Sequence, residues 1–381
     1  MKKNWIKFNR NEFSGSIGDL GTDFPLITGM VLAANLDVVS VFVMFGLMQV
    51  LTGLIYGLPM PLQPLKAMAV LVITQNIQAP VLYGAGLAIG VVMLILSMSG
   101  LLDWLAKMIP ACVVRGIQFG LGLSLASLAL KKYVPSMGGE GYVLAGICFV
   151  IMVILLGNRR FPPGVFVIGL GLLYAVFFKV DFHALAQSVG FSRPHFVVPT
   201  AGDILTGFFI LSLPQLPLSI SNSVIATNKT VQDLFPERKL SVKKIGLTYS
   251  VINLILPFFR GIPVCHGCGG LAGHYALGAR TGGSVIIYGS VFILIGLLFS
   301  QAFHQIIDFF PQPVLGVVLM FEALTLLLFI RDQTQSKRDT AIALLVALIA
   351  MTLPQGYIVG LIVGTILYYA HKNFYRDAPS V

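Results

Sequence analysis

Fourteen hydrophobic segments, separated by short polar loops, occupy most of this 381-residue chain. A helix needs roughly 20 apolar residues to cross the hydrocarbon core of a bilayer, and most segments are near that length. Charged residues make up 10% of the chain, against about 25% in an average soluble domain. The sequence therefore predicts an all-α polytopic membrane protein. Its predicted spans are 12–34, 38–57, 62–78, 81–102, 110–130, 141–157, 162–180, 203–226, 243–259, 264–278, 283–303, 312–330, 339–353 and 355–371.

The basic residues behind the net charge of +10 lie in short clusters between the segments. This distribution argues against a nucleic-acid partner and fits the positive-inside rule, with both termini in the cytoplasm. No small-residue cleavage site follows the basic N-terminus, so we expect the first span to be retained. The chain offers no disulfide framework of a secreted protein. We expect a multi-pass protein of a bacterial or archaeal cell inner (cytoplasmic) membrane.

Four of the segments are interrupted by glycine and proline. The third and tenth are short and begin on the extended stretches Gly57–Pro61 and Gly261–Val264, whereas the first and eighth contain Gly21–Pro25 and Leu213–Pro217. Proline restrains its own backbone and disfavours helix in the residue before it. Backbone groups freed at membrane depth are tolerated only inside protein or beside a cavity. We therefore expect half-helices in segments 3 and 10 and breaks in segments 1 and 8.

The interruptions recur at similar spacing, which predicts an internal repeat. Pro25 and Pro217 lie 192 residues apart, and Pro61 and Pro263 lie 202 apart. Two units of seven spans, residues 1–180 and 203–371, have opposite orientations because seven is odd. An inverted repeat with interrupted helices is typical of a secondary transporter whose substrate site lies at the breaks.

The two half-helix N-termini predict an anion site, because each presents unpaired N–H groups and a partial positive charge. Glycines nearby permit close approach of the backbone. The alternative is that these are ordinary helix starts packed against their neighbours. The candidate substrate-binding residues are Thr22, Leu62, Gln63, Lys66, Gln215, His266, Gly267 and Gly269, and Gly270 is a second glycine that permits close approach.

Ionisable residues within the predicted spans are functional candidates by default. Lys66 could add charge to a bound oxyanion, or it could pair with Asp19, Asp23 or Glu322. Those three carboxylates are candidates for proton coupling, since burial favours the protonated form. For any single carboxylate, a static salt bridge to Lys66 or Arg115 is the favoured interpretation.

Polar and sulfur-containing residues in the eighth and tenth segments give weaker signals. Gln215 lies at a predicted break and is favoured for the site, although such groups also hold helices together. Cys265, Cys268 and His274 have zinc-ligand chemistry, but a second ligand pair is missing, so close packing is the simpler interpretation. The sequence contains no phosphate-loop motif, which argues against an ATP-driven pump. We expect no metal site, no cofactor and no catalytic residues, and hence no enzyme.

Four motifs together resemble the MOT1-type molybdate transporter family, which is related to the sulfate permeases (SulP). They are Asn11–Thr22 (NEFSGSIGDLGT), Pro59–Ala67 (PMPLQPLKA), Leu213–Leu218 (LPQLPL) and Cys265–Gly283, which contains CHGCGGLAGHY and GARTGG. The resemblance implies the seven-plus-seven inverted repeat shared with sulfate permeases and nucleobase transporters. It also implies a core domain of spans 1–4 and 8–11, a gate domain of spans 5–7 and 12–14, and a homodimer. Unlike many sulfate permeases, the chain is expected to lack a C-terminal cytoplasmic domain.

The sequence and the resemblance together predict a secondary active transporter of a tetrahedral oxyanion, molybdate first. Sulfate and tungstate are rivals because they share its shape and charge. A nucleobase permease of the same fold remains an alternative, although Gln215 and His266 stand where a carboxylate would pair with ring nitrogens. A passive anion channel and a membrane enzyme built on the Cys/His cluster complete the alternatives.

Overall fold

The computed structural model describes residues 6–102, 104, 108–156, 163–178, 190–300, 310–353 and 355–374. The ends of the chain and Lys107, Arg159 and Arg160, on which the predicted orientation partly rests, lie outside these residues. The first half contains α1 (Arg10–Ser16), α2 (Leu20–Ala34), α3 (Val38–Tyr56), β1 (Leu62–Pro64), α4 (Lys66–Gln75), α5 (Ala79–Ser99), α6 (Ala111–Leu128), α7 (Gly138–Ile154) and α8 (Pro163–Phe178). The second contains α9 (Ala201–Gly207), α10 (Leu213–Leu218), α11 (Thr227–Leu234), α12 (Val242–Ile255), β2 (Val264–His266), α13 (Cys268–Ala276), α14 (Gly283–Leu298), α15 (Gln312–Leu328), α16 (Lys337–Thr352) and α17 (Gly356–Phe374).

The described chain has the helices that a membrane protein requires. Helices that are apolar on all sides belong in lipid or in a protein core. Seven helical stretches are long and apolar enough to cross a bilayer, and four more apolar helices are shorter. The seven are Arg10–Ala34, Val38–Tyr56, Ala79–Ser99, Ala111–Ile154, Ala201–Leu234, Val242–Phe259 and Gln312–Gln333. A helical membrane protein is thus confirmed, whereas the count of fourteen spans stays a prediction.

Helix packing is reciprocal between the two halves of the chain. Helix α3 of the first half packs on α14 of the second, and α12 of the second packs on α5 of the first. In the same way α6 packs on α16, and α15 packs on α7. Each contact therefore has a counterpart with the halves exchanged, which is the arrangement that two inverted copies of one unit produce.

The third and tenth segments have the predicted form of an extended stretch followed by a short helix. Strands β1 and β2 pair in antiparallel register, with Leu62 opposite His266 and Gln63 opposite Cys265. Both strands are fully buried. Helix α4 begins directly after β1, and α13 begins directly after β2. The pair thus places the N-termini of both short helices side by side inside the protein.

The predicted breaks in segments 1 and 8 are wrong in detail. Pro25 lies inside α2, and the chain turns earlier, between α1 and α2 at residues 17–19. Residues 201–234 are continuously helical, with π-helical stretches Phe208–Ser212 and Ser219–Ala226 on either side of Pro217. A π turn shifts the backbone hydrogen bond by one residue, which gives the proline ring room without ending the helix.

Candidate functional site

Two buried amide side chains fix the strands that begin the short helices. Gln49 of α3 accepts from the backbone N–H of Leu62 at 2.9 Å and donates to its carbonyl at 2.7 Å. Asn253 of α12 does the same for Val264, at 2.9 and 2.7 Å. Buried backbone groups need such partners. Sequence reasoning missed both residues, although a lone amide in an apolar helix is a signal that could have found them.

Gln63 lies at the centre of the strand pair, between the two helix N-termini. Its Nε2 donates to Asp19 Oδ1 at 2.6 Å. Its Oε1 occupies the space that a Cβ at Gly267 would fill, so the glycine is required for this contact. Leu62, the neighbouring candidate, is fully buried and contributes its backbone to the strand pair.

Lys66 is the first residue of α4 and the cation nearest to the strand pair. Its Nζ lies 3.8 Å from Glu322 Oε2 of α15, with the lysine side chain 30% and the glutamate 15% exposed. Of the three predicted partners, Glu322 therefore forms the ion pair. Arg115 instead bonds Asp332 through Nε at 2.8 Å. The pair between Lys66 and Glu322 is long and partly accessible, which leaves the ammonium group able to take another partner.

Gln215 caps the N-terminus of α4. Its Oε1 accepts from the amides of Ala67 at 2.9 Å and Met68 at 3.3 Å. Its Nε2 donates to Ser219, which in turn contacts the hydroxyl of Tyr249. The sequence favoured Gln215 for contact with the substrate and the N-terminal amides of α4 for holding the anion. In the structure Gln215 instead accepts hydrogen bonds from two of these amides.

The N-terminus of α13 has an open side at Gly269. A Cβ at this exposed glycine would meet nothing within 4 Å. At the next residue, Gly270, a Cβ would collide with Asp19 Oδ2 and Pro61. The first amides of a helix lack intrahelical acceptors. Gly269 therefore marks the place where a ligand can approach them, whereas Gly270 is required for packing.

His266 is held inside the protein, whereas Thr22 is partly exposed. His266 is fully buried, its Nε2 lies 2.9 Å from Thr248 Oγ1, and its ring packs edge-on against Tyr56. Its Nδ1 has no hydrogen-bond partner within the described residues. Thr22 lies half-buried in the first turn of α2.

Two carboxylates of α2 lie behind the site, one turn apart. Asp19 precedes α2 and Asp23 lies in its first turn, and both side chains are buried. Tyr288 donates to Asp23 Oδ2 at 3.0 Å. Within the described residues, Asp19 Oδ2 and Asp23 Oδ1 have no hydrogen-bond partner. Each carboxylate therefore has one buried oxygen that can accept a further hydrogen bond.

A cavity of about 220 Å³ lies between the start of α6 and residues 217–226. Arg115 and Asn222 are among its lining residues, with Pro217 two residues beyond the capping Gln215. Helix α4 packs on α6 beside it. The cavity therefore adjoins the structure that holds Lys66, and it presents a basic and an amide side chain.

Glu12 is a further buried carboxylate, and its side chain lies between α1 and the start of α14. Glu12 accepts from the amides of Arg280 and Thr281 at 3.0 Å and Ser284 at 3.1 Å, so it fastens α1 to the start of α14. In the part of the chain that the structure describes, no group of three His, Cys, Asp or Glu residues could hold a metal ion.

Comparison with known proteins gives a family match over much of the chain. A family model described as a molybdate transporter of the MFS superfamily matches residues 11–125 and 207–326. Molybdate transporter 2 of Arabidopsis thaliana is 33% identical over 97% of this chain and 89% of its own length. Molybdate transporter 1 of Chlamydomonas reinhardtii is 26% identical over 95% of this chain and 92% of its own length.

Solved structures share the fold at low sequence identity. The transmembrane domain of a cyanobacterial bicarbonate transporter, BicA, has a TM-score of 0.63 at 14% identity, covering 95% of this chain and 98% of that one. The murine Slc26a9 anion transporter in its inward-facing state has a TM-score of 0.71 at 15% identity, covering 97% and 69%. The chain therefore has the inverted-repeat fold of these transporters.

Proposed function

The chain belongs to the molybdate transporter family, and from this premise we propose that it is a secondary active transporter of molybdate that works by alternating access. The observation that carries the proposal is the antiparallel pair of β1 and β2. It holds two helix N-termini together, with the lysine Lys66 at one and the open glycine Gly269 at the other.

This arrangement suits a tetrahedral dianion. The ammonium group of Lys66 supplies a full positive charge, and the first turn of α13 supplies directional N–H donors on a partial positive charge. Gln63 lies between them with an amide that can donate. A charge and several fixed donors around a small space are what an oxyanion requires, whereas an uncharged ring would need an acceptor paired with a donor.

We divide the chain into a core and a gate. The core contains α1–α5, α9–α14 and the two strands, and the gate contains α6–α8 and α15–α17. The pair of Lys66 and Glu322 links the two parts, because α4 belongs to the core and α15 to the gate. Neutralising Lys66 with an anion loosens that link, and the loaded core then moves against the gate. The cavity lined by Arg115 and Asn222 lies on the same boundary.

Proton symport follows from the charge of the substrate. Moving one charge against a membrane potential costs about 2.3 kcal/mol per 100 mV, so a dianion costs roughly twice that. In a bacterial inner membrane, with both termini in the cytoplasm, the cytoplasmic side is negative. Uptake of an anion into the cytoplasm therefore runs against this potential. We propose that protons travel with the anion, in a protein that forms a homodimer in this membrane.

Sulfate and tungstate are the rival substrates, since they have the same shape and charge. A nucleobase permease is disfavoured because Gln215 caps α4 and His266 bonds Thr248. A passive channel would use the same charges, but it could not concentrate its substrate.

Calorimetry on the purified protein tests the substrate class. Molybdate, tungstate, sulfate and uracil are titrated in parallel, and we expect molybdate to bind most tightly and uracil not at all. Proteoliposomes with an inward proton gradient are then expected to accumulate molybdate above its equilibrium level. Binding of uracil alone contradicts the anion site, and uptake that stops at equilibrium indicates a channel.

A further inference from the structure

Both side chains that could donate to an oxyanion are already held by carboxylates. Glu322 lies 3.8 Å from the Nζ of Lys66, and Asp19 accepts from the Nε2 of Gln63 at 2.6 Å. The two carboxylates come from different helices, α15 and α2. The two donors lie within four residues of one another, on β1 and at the start of α4.

Two carboxylates carry the same charge as one tetrahedral dianion. In the structure they satisfy the lysine and the amide that the substrate would otherwise satisfy. A dianion that reaches these donors must displace the carboxylates, and it then repels both of them at short range. A displaced carboxylate escapes this repulsion by taking up a proton, which is the response expected of a buried acid beside a like charge.

We propose that Asp19 and Glu322 are internal counter-ions of the empty site, and that each takes up one proton when an oxyanion displaces it. The proposal rests on the oxyanion transport proposed above. Each proton passes from water to a carboxylate oxygen and gives a neutral acid. Two protons thus balance one dianion over the whole loaded protein, one on the core at Asp19 and one on the gate at Glu322.

Asp23 provides the contrast that makes the proposal specific. It lies one turn from Asp19 and is equally buried, but its partner is the hydroxyl of Tyr288 rather than a donor of the site. An anion bound by Lys66 and Gln63 therefore does not compete with Asp23 for its hydrogen-bond partner. The other titratable or charged side chains near Asp19, or on elements packed against α2 and α15, are Lys66, Cys112, Arg115, Lys131, Lys132, Tyr133, Glu140, Tyr142, Cys148, Tyr174, Cys265, Cys268, His274, Tyr288, Arg331 and Asp332. Among the described residues, Lys66 alone of these pairs with Glu322, and Arg115 is held by Asp332.

The test counts the protons taken up per anion bound. Molybdate is titrated calorimetrically at about pH 8, where both carboxylates of the empty site are expected to be ionised, in buffers of different ionisation enthalpy. The slope of heat against that enthalpy gives the proton number. We expect about two for the wild type, about one for Glu322→Gln or Asp19→Asn, and about two for Asp23→Asn. Glu322→Gln should also bind molybdate about two- to fivefold more tightly, since a partly exposed ion pair no longer competes.

Wild-type protein provides a second readout that needs no variant to fold. Between about pH 8 and 9, uptake of two protons requires the affinity for molybdate to fall about 100-fold per pH unit. Tight molybdate binding without proton uptake overturns the counter-ion proposal and leaves the transport proposal intact. A lower proton number in Asp23→Asn, together with an unchanged proton number in Glu322→Gln, overturns the assignment of Asp19 and Glu322. If no oxyanion binds at all, the transport proposal fails and this one fails with it.

Discussion

The two short helices begin in the same way and end up chemically different. Each follows a buried strand whose first residue is held by an amide side chain from a long helix, Gln49 for β1 and Asn253 for β2. Beyond that point the likeness stops. The first amides of α4 are closed by Gln215, whereas α13 opens onto free space at Gly269.

From this difference we propose a division of roles in anion binding between the two helix starts. The α4 side offers the charge of Lys66, which attracts any anion from any direction. The α13 side offers backbone donors, whose fixed directions distinguish one anion shape from another. The comparison teaches that the repeat supplies a shared backbone frame, and that the residues around each helix start decide whether its amides are closed, as by Gln215, or open, as at Gly269.

Removing the amides that hold the strands should have the largest effect. Gln49→Leu and Asn253→Leu each leave one N–H and one C=O buried without a partner, at about 1–3 kcal/mol per group. We expect each variant to lose about 2–6 kcal/mol of stability, seen as a lower thermal unfolding temperature in detergent.

The matched controls lie on the same two helices. Thr52→Val on α3 and Ser250→Ala on α12 remove hydroxyls that bond only their own helix, so they should change stability little. If just one of the two leucine variants is destabilised, Gln49 and Asn253 do not hold the two strands in equivalent ways, and the two short helices do not begin on a shared frame.

Removing the charge of Lys66 should have the next largest effect, on binding rather than on stability. Hydrogen bonds to charged groups are worth about 1.5–3 kcal/mol, so Lys66→Gln should weaken molybdate binding about 10- to 100-fold. Lys66→Arg keeps the charge and should retain most of the affinity. Calorimetry checks both variants. Equal affinities for Lys66→Gln and the wild type would show that α13 alone holds the anion.

Local signals were enough to predict the two short helices. The stretches Gly57–Pro61 and Gly261–Val264 force extended backbone before each one, and this pattern does not depend on distant residues. The same reasoning failed at Pro25 and Pro217. A proline costs a helix one hydrogen bond, and whether the helix absorbs that cost depends on π turns and packing that the local sequence does not specify.

Long-range partners could not be predicted from the sequence. Lys66 had three candidate carboxylates, and only the packing of α15 near α4 selects Glu322, 256 residues away. The capping of α4 by Gln215 likewise depends on how residues 201–234 cross that helix. Sequence reasoning found the residue, but it could not find these partners within the chain, because amides serve substrate and backbone equally well.

The smallest expected effect comes from a single methyl group at the start of α13. Gly269→Ala points a Cβ into open space, so folding should be unchanged while the methyl obstructs the anion at the amides. We expect affinity to fall about fivefold, or about 1 kcal/mol, roughly the net worth of one hydrogen bond. Gly270→Ala is the adjacent control. Its Cβ collides with Asp19 and Pro61, so this variant should lose thermal stability by overpacking. If Gly269→Ala binds molybdate as tightly as the wild type, the α13 amides do not contact the anion, and the division of roles between the two helices is wrong.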